Sequence, residues 1–314
     1  MRVSVPFACW GAALLLATGA SQSLKAADLD IQSVAPRTWA LVGKTEDLSP
    51  QNAGNIANAG AIATADGVVV IDTSASKALG EAWRAAIAER TSQALRLVLN
   101  THLHPDHVLG NQAFPAEALA ALPATRQGLE TSGEAFNENL YRMVGAAMQG
   151  TELVIPEGVV NDGLLELGGH RIRLLALAGH SEADLAVFDE TTGVLFTGDL
   201  VFFDRAPTTP HANLARWRQS LDILAALPFK RMVPGHGPVL DDDRGIRMTR
   251  RWLDWLEQTF VQAAASGLDM TEVLAMPLPA EWASLPLAES EYRRSVAHLY
   301  PAIERAALAG VRSP

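Results

Sequence analysis

The stretch Thr101-His102-Leu103-His104-Pro105-Asp106-His107 puts three imidazoles and a carboxylate within six residues, His102 to His107. These side chains are ligands for first-row divalent metals, and core packing has no use for them together. Downstream, three apolar runs each end in a glycine followed by one more metal-capable residue: Gly179-His180, Gly198-Asp199 and Gly235-His236. Glycine at such points lets another backbone approach closely. A single histidine at a strand end is ordinarily a hydrogen-bonded structural residue. Five of the eight histidines in one pattern point instead to a metal centre.

The elements that must hold these residues are legible around them. The apolar run Leu95 to Asn100 predicts a buried strand that delivers the cluster into a loop, with Gly110-Asn111 close behind. Upstream, residues 38–42, 55–63 and 67–73 predict strands, and residues 77–90 predict a helix with Leu79, Trp83 and Ile87 on one face. Residues from about 124 to 150 predict a helical insertion near the site. A hairpin over 164–175 turns at Gly168-Gly169, and residues 184–189 and 193–197 supply another strand pair. A helix over 212–227 precedes a short strand at 230–233, and from residue 243 the pattern is helical. Two strand-rich halves with outer helices predict an α/β fold, a sandwich of two sheets between helices. The expected organisation is a domain over 28–245 and a helical extension over 246–314, which suits a chain of 314 residues.

Composition narrows the function. Hydrophobic residues make up 48% and charged residues 19%, a globular balance, and the net charge of −10 argues against nucleic acid as a partner. Arg2, the apolar run Phe7 to Ala17 and the small residues ending at Ala26-Ala27 have the layout of a secretory signal peptide over 1–27. The run is too short for a comfortable membrane span, so the expectation is a periplasmic protein with no stable span after cleavage. The sole cysteine, Cys9, falls in that segment. The exported chain therefore has neither a disulfide nor a thiol nucleophile.

The H-x-H-x-D-H loop at 102–107, with His180, Asp199 and His236 in that order, resembles the metallo-β-lactamase superfamily over roughly residues 35–240. The resemblance implies an αββα sandwich with the metal site at one edge. His102, His104 and His180 would bind a first zinc; Asp106, His107 and His236 a second; Asp199 would bridge them. Asp199 stands where several β-lactamases carry cysteine, and so looks like the glyoxalase II and lactonase branches. His104 stands where the flavodiiron oxidoreductases carry glutamate. Asn55 to Gly60, Ala206 to His211 and Ser295 to Pro301, together with the signal segment, resemble the exported quinoprotein relay system zinc metallohydrolases. That branch implies a functional link to a periplasmic quinoprotein dehydrogenase.

The activity so implied is hydrolysis of a thioester, ester, lactone or amide in a small-molecule substrate, by hydroxide shared between two Zn²⁺ ions. Zinc brings the pKa of bound water from 15.7 to about 7. Iron or manganese at the same ligands are the alternatives in metal identity. Asp106 is expected to be catalytic, orienting the nucleophile and passing a proton to the leaving group. Asp72 is expected either to hold the histidine loop or to cap its own strand, and His211 either to line the pocket or to cap the next helix. Tyr141, with Phe202, Phe203 and Arg205, is a candidate for the cleft wall, the two phenylalanines alternatively being core. His170 and His298 read as structural or solvent-facing, and Trp252, Trp255 and Leu256 as helix packing. Two rival readings remain: an iron-dependent oxidoreductase such as a sulfur dioxygenase, and a non-enzymatic accessory protein of a quinoprotein system.

Overall fold

Strand β1 (Asp30–Ala35) opens a seven-stranded sheet in the computed structural model, which describes residues 26–311; the signal segment expected over 1–27 lies almost wholly outside them. It is followed by β2 (Thr38–Val42), β3 (Ala59–Thr64) and β4 (Gly67–Ile71), each antiparallel to the last. Helix α1 (Lys77–Arg90) then crosses over to β5 (Leu95–Leu99), which runs parallel to β4. The one-turn helix α2 (Pro105–Val108), β6 (Leu119–Ala121), α3 (Pro123–Val144) and β7 (Gly158–Val159) complete this half, β6 and β7 again parallel.

The second half is a five-stranded sheet. β8 (Gly163–Leu167), β9 (His170–Leu177), β10 (Asp184–Asp189) and β11 (Val194–Phe196) pair antiparallel. Helix α4 (Leu214–Ala225) returns the chain to β12 (Arg231–Val233), parallel to β11. Helices α5 (Arg244–Ala265), α6 (Met270–Leu274), α7 (Ala280–Ala283) and α8 (Ala288–Val311) follow. No helix among the described residues is long and apolar enough to cross a membrane.

Side-chain alternation builds the layers. In β4, Val68 and Val70 face Leu79, Trp83 and Ile87 of α1, while Val69 and Ile71 face the other sheet. Between the sheets, Ile62 and Leu99 meet Ile172, Leu185, Val187 and Phe196. On the far side, Phe188, Leu195 and Met232 are covered by Trp217 of α4, Trp252 and Leu256 of α5 and Tyr300 of α8. The result is αββα, with the C-terminal helices packed into the outer layer. Ser76 caps α1 by accepting from the Leu79 N–H, which fixes where that helix starts.

The strand expected over 55–63 begins later, at Ala59. Residues 51–57 form turns, with Ala53 and Gly54 both at positive φ. Asn58 explains the boundary: its side-chain oxygen accepts from the Gly43 N–H at 2.9 Å, and its amide donates to the carbonyls of Pro234 and Gly237, each at 2.8 Å. A residue expected in a ladder is instead a clamp across to the His236 loop. β1, β6 and β7 were not expected; β6 and β7 are only three and two residues long, too short for a periodic signal.

Candidate metal centre

The strand ends of both sheets meet at one edge. His102 and His104 follow β5, Asp106 and His107 lie in α2, His180 follows β9, Asp199 lies in the turn after β11, and His236 follows β12. Two groups form. In the first, His104 Nδ1 is 3.0 Å from His102 Nε2 and 2.8 Å from His180 Nε2, with Asp199 Oδ2 3.3 Å from His180 Nε2. In the second, Asp106 Oδ2 is 3.3 Å from His236 Nε2 and 3.8 Å from His107 Nε2. Asp199 reaches this group as well: its Oδ1 is 3.0 Å from His107 Nε2 and its Oδ2 3.3 Å from His236 Nε2. Within each group the ligand atoms all lie within 4.8 Å of one another.

The donor set fits two divalent cations. His107 Nε2 and Asp199 Oδ1 are buried, close together, and make no hydrogen bond, an arrangement that is costly unless both serve a third partner. The nitrogen–oxygen donors with no sulfur suit zinc, manganese or iron. Close backbone approach is required too. A Cβ on Gly235 would lie 2.0 Å from Asp199 Oδ1, and one on Gly179, at φ +136°, 2.2 Å from the Trp217 Cα.

Each ligand ring is held from behind. A histidine that ligates through one nitrogen carries its proton on the other, and the partner there sets its orientation. His107 Nδ1–H donates to Asp72 Oδ2 at 2.8 Å, and His236 Nδ1–H to the Ile56 carbonyl at 2.8 Å. His102 Nδ1 is 2.9 Å from Thr101 Oγ1, whose own hydroxyl donates to Asp72 Oδ2 at 2.8 Å. Asp72 also accepts the Thr101 N–H at 2.8 Å, so this one carboxylate orients His107 directly and His102 through a hydroxyl. His104 Nε2 meets His211 Nδ1 at 2.9 Å. His180 Nδ1 has no partner and is fixed by packing, edge-on to the Trp217 ring at 5.0 Å.

Electrostatics separate the two groups. Burial, with help from neighbouring histidines, holds His102, His104 and His180 below the usual imidazole range, so they are neutral and ready to donate lone pairs. Burial acts the same way on His107 and His236, but Asp199 and the other carboxylates outweigh it and hold both above that range. Burial would raise Asp106 and Asp199; the facing His107 and His236 overcome it and keep both carboxylates ionised.

A cleft of about 230 Å³ opens onto these ligands, with His104, Asp106, Asp199 and His236 in its lining. Phe136, Leu140 and Met143 of α3, with Leu48 and Ile56, make an apolar wall; Arg205, Thr208, His211 and Arg294 make a polar one. Tyr141 is not part of it. It is 53% exposed, because the stripe 136, 140, 143 faces the site and residue 141 falls on another side of the helix. His211 lines the cleft and does not cap α4; Asn213 does, accepting from the Arg216 N–H. Phe202 is core, buried and stacked on His236 at 5.1 Å, while His298 is exposed and His170 bonds Asp189 at 2.9 Å, both away from the cleft.

The polar wall extends further than the sequence suggests. Arg205, 2% exposed, lies over the Phe202 ring and donates to Glu291 Oε1 of α8 at 3.3 Å. Its Nη1 is 3.3 Å from His236 Nδ1, but that nitrogen carries a proton for Ile56, so this is a contact between donors. Arg294 of α8 donates to Glu291 at 2.9 Å and to Asp47 at 3.1 Å. A charge chain thus runs from His236 out to the rim, and half of it comes from the C-terminal helix. Nothing in the sequence distinguishes Glu291 and Arg294 from other charged helix residues.

Comparison with known proteins agrees with this geometry. The sequence model of the metallo-beta-lactamase superfamily matches residues 53–236. A linear primary-alkylsulfatase of a Pseudomonas species is 22% identical over 278 residues, 74% of this chain and 52% of that protein. A hydroxyacylglutathione hydrolase of Maricaulis maris is 26% identical over 142 residues, 45% of this chain and 47% of that one. The chain spans about half the length of the curated relatives it matches. Among solved structures, a metallo-beta-lactamase from Hirschia baltica superposes with a TM-score of 0.57 at 20% identity, over 72% of this chain and 97% of that one. One from Pontibacter korlensis gives 0.55 at 21%, over 72% and 99%.

Proposed function

The chain belongs to the metallo-beta-lactamase superfamily as a metal-dependent hydrolase, and we propose that it is an exported dinuclear zinc enzyme that cleaves a thioester, ester, lactone or amide in a small molecule. The observation that carries this reading is the shared residue: Asp199 touches both groups, so His102, His104 and His180 would hold one ion, Asp106, His107 and His236 another, with Asp199 within reach of both. Such a pair, when bound, supplies a water acidic enough to attack at neutral pH and a Lewis acid for the scissile carbonyl.

The chain's own residues do the rest. Asp106 stands in the cleft lining with Oδ2 beside His236 Nε2, and its carboxylate is kept ionised by His107 and His236. It is placed to take the proton of the attacking water and return it to the leaving group. Asp72 and Thr101 keep the histidine loop in one geometry. The apolar wall of α3 excludes water and takes the apolar part of a substrate. The only cysteine is Cys9, within the segment 1–27, so the exported chain would carry no thiolate to compete as nucleophile.

The names of the relatives support hydrolysis of an ester-like bond, sulfate ester in one case and a glutathione thioester in the other. Export rests on the pattern over 1–27, and the periplasmic quinoprotein link on the stretches 55–60, 206–211 and 295–301. The deciding experiment is a turnover panel of thioesters, esters, lactones, β-lactams and alkyl sulfates with the zinc-loaded protein, alongside metal analysis. Zinc with turnover of one class is the expected result. Stoichiometric iron with oxygen uptake would overturn it in favour of a redox enzyme. Mass spectrometry of protein recovered from the periplasm should find an N-terminus near residue 27 or 28.

A further inference from the structure

We propose that His211 is a positioning residue that locks the metal-ligating tautomer of His104. The proposal rests on reading the three-histidine group as a metal site. His104 Nδ1 is the nitrogen turned toward His102 and His180, 3.0 and 2.8 Å from their Nε2 atoms, so it must be the bare one for all three to share an ion. A neutral imidazole has one proton, which therefore sits on His104 Nε2. That atom is 2.9 Å from His211 Nδ1. His211 must accept there, and its own proton falls on Nε2, on the far side of a ring that lines the cleft. Remove this acceptor and nothing bonded to His104 Nε2 favours the tautomer that binds metal.

The loop around His211 is built to hold it. Thr209 Oγ1 is 2.6 Å from Ser295 Oγ on α8, and the Ala212 N–H bonds the Thr209 carbonyl at 3.0 Å. The Asn213 N–H bonds the Gly179 carbonyl at 2.8 Å, next to the ligand His180. Pro210 fixes one more backbone angle immediately before His211. Phe136 of α3 closes the other side, its ring 6.2 Å from His104 and 5.9 Å from His211. The C-terminal helix thereby reaches a metal ligand through one loop, though it supplies no ligand itself.

The test is metal affinity rather than activity. Zinc dissociation constants of the full chain are measured by competition with a chromophoric chelator, and cobalt(II) absorption reports the ligand geometry. His211→Ala should weaken one of the two ions by about 10- to 100-fold and shift the cobalt bands. His211→Asn, whose amide oxygen can accept from His104 Nε2–H, should recover most of both. His211 is exposed, so neither variant threatens the fold, and circular dichroism checks this. Wild-type affinity and cobalt bands in His211→Ala would overturn the proposal, as would equal losses in the two variants. Because no substrate is involved, a failure of the turnover panel would count against the hydrolase reading and leave this result standing.

Discussion

The two halves of the metal centre are built from the same strand ends but supported in opposite ways. The three-histidine half is neutral, and its rings rest on a hydroxyl, another imidazole and a tryptophan face. The other half is charged in the metal-free protein: two histidines above their usual range face two ionised carboxylates, backed by Asp72 and a carbonyl. Three converging lone pairs need an ion between them but carry no net charge of their own, so uncharged partners suffice on one side. Charges buried beside one another must be balanced, and the Arg205 cation set against His236 is itself neutralised outward, by Glu291 and then through Arg294 to Asp47. Asp72 joins the halves, and it is held in the left-handed region at φ 60°, a conformation worth keeping only where the position of its carboxylate matters.

Removing Asp106 breaks the charged half most directly. Asp106→Ala should lower kcat by about 100- to 10,000-fold on any substrate found, read with metal content measured in the same sample. An unchanged rate would refute a working second site. Asp72→Asn should strike both halves, since the same carboxylate orients His107 and, through Thr101, His102; about 10- to 100-fold weaker binding of both ions is expected in chelator competition. Thr101→Val keeps the shape, removes only the hydroxyl and should cost about 10-fold at the three-histidine half and less at the other, where Asp72 keeps the Thr101 N–H and His107. If Thr101→Val disturbed both ions equally, the division into neutral and charged halves would be wrong.

The seven candidate ligands are readable in the sequence because type and position coincide: histidine or aspartate in the loop or turn where an apolar run ends. The layers are readable from alternation in β4 and from the stripe Leu79, Trp83, Ile87. Tyr141 shows the limit of reading residue type without phase, since the stripe 136, 140, 143 is equally visible and points elsewhere. Asn58 shows another, because a side chain that bridges 176 and 179 residues along the chain leaves no local trace. Glu291 and Arg294 are invisible for the same reason. They lie 55 and 58 residues beyond His236, and only the packing of α8 over the site gives them meaning.

That outward wiring can be tested where the effect should be smallest. Glu291 is fully buried, and burial pushes its carboxyl above the usual glutamate range despite Arg205, Arg294 and Thr208, which favour the charged form. An acid whose folded value is raised binds its proton more tightly in the folded state. The stabilisation from that proton is complete below the ordinary value of 4.5 and is lost as pH rises through the raised one. Glu291→Gln cannot lose it. Urea unfolding of the metal-free protein across this window should therefore show the variant gaining stability relative to the wild type as pH increases. Should the wild type gain instead, the pairs with Arg205 and Arg294 outweigh burial, and the charged half is held by attraction along its whole length. The expected sign says something narrower: Glu291 remains beside Arg205 at a cost in stability, and what it secures there is the placement of a cation against His236.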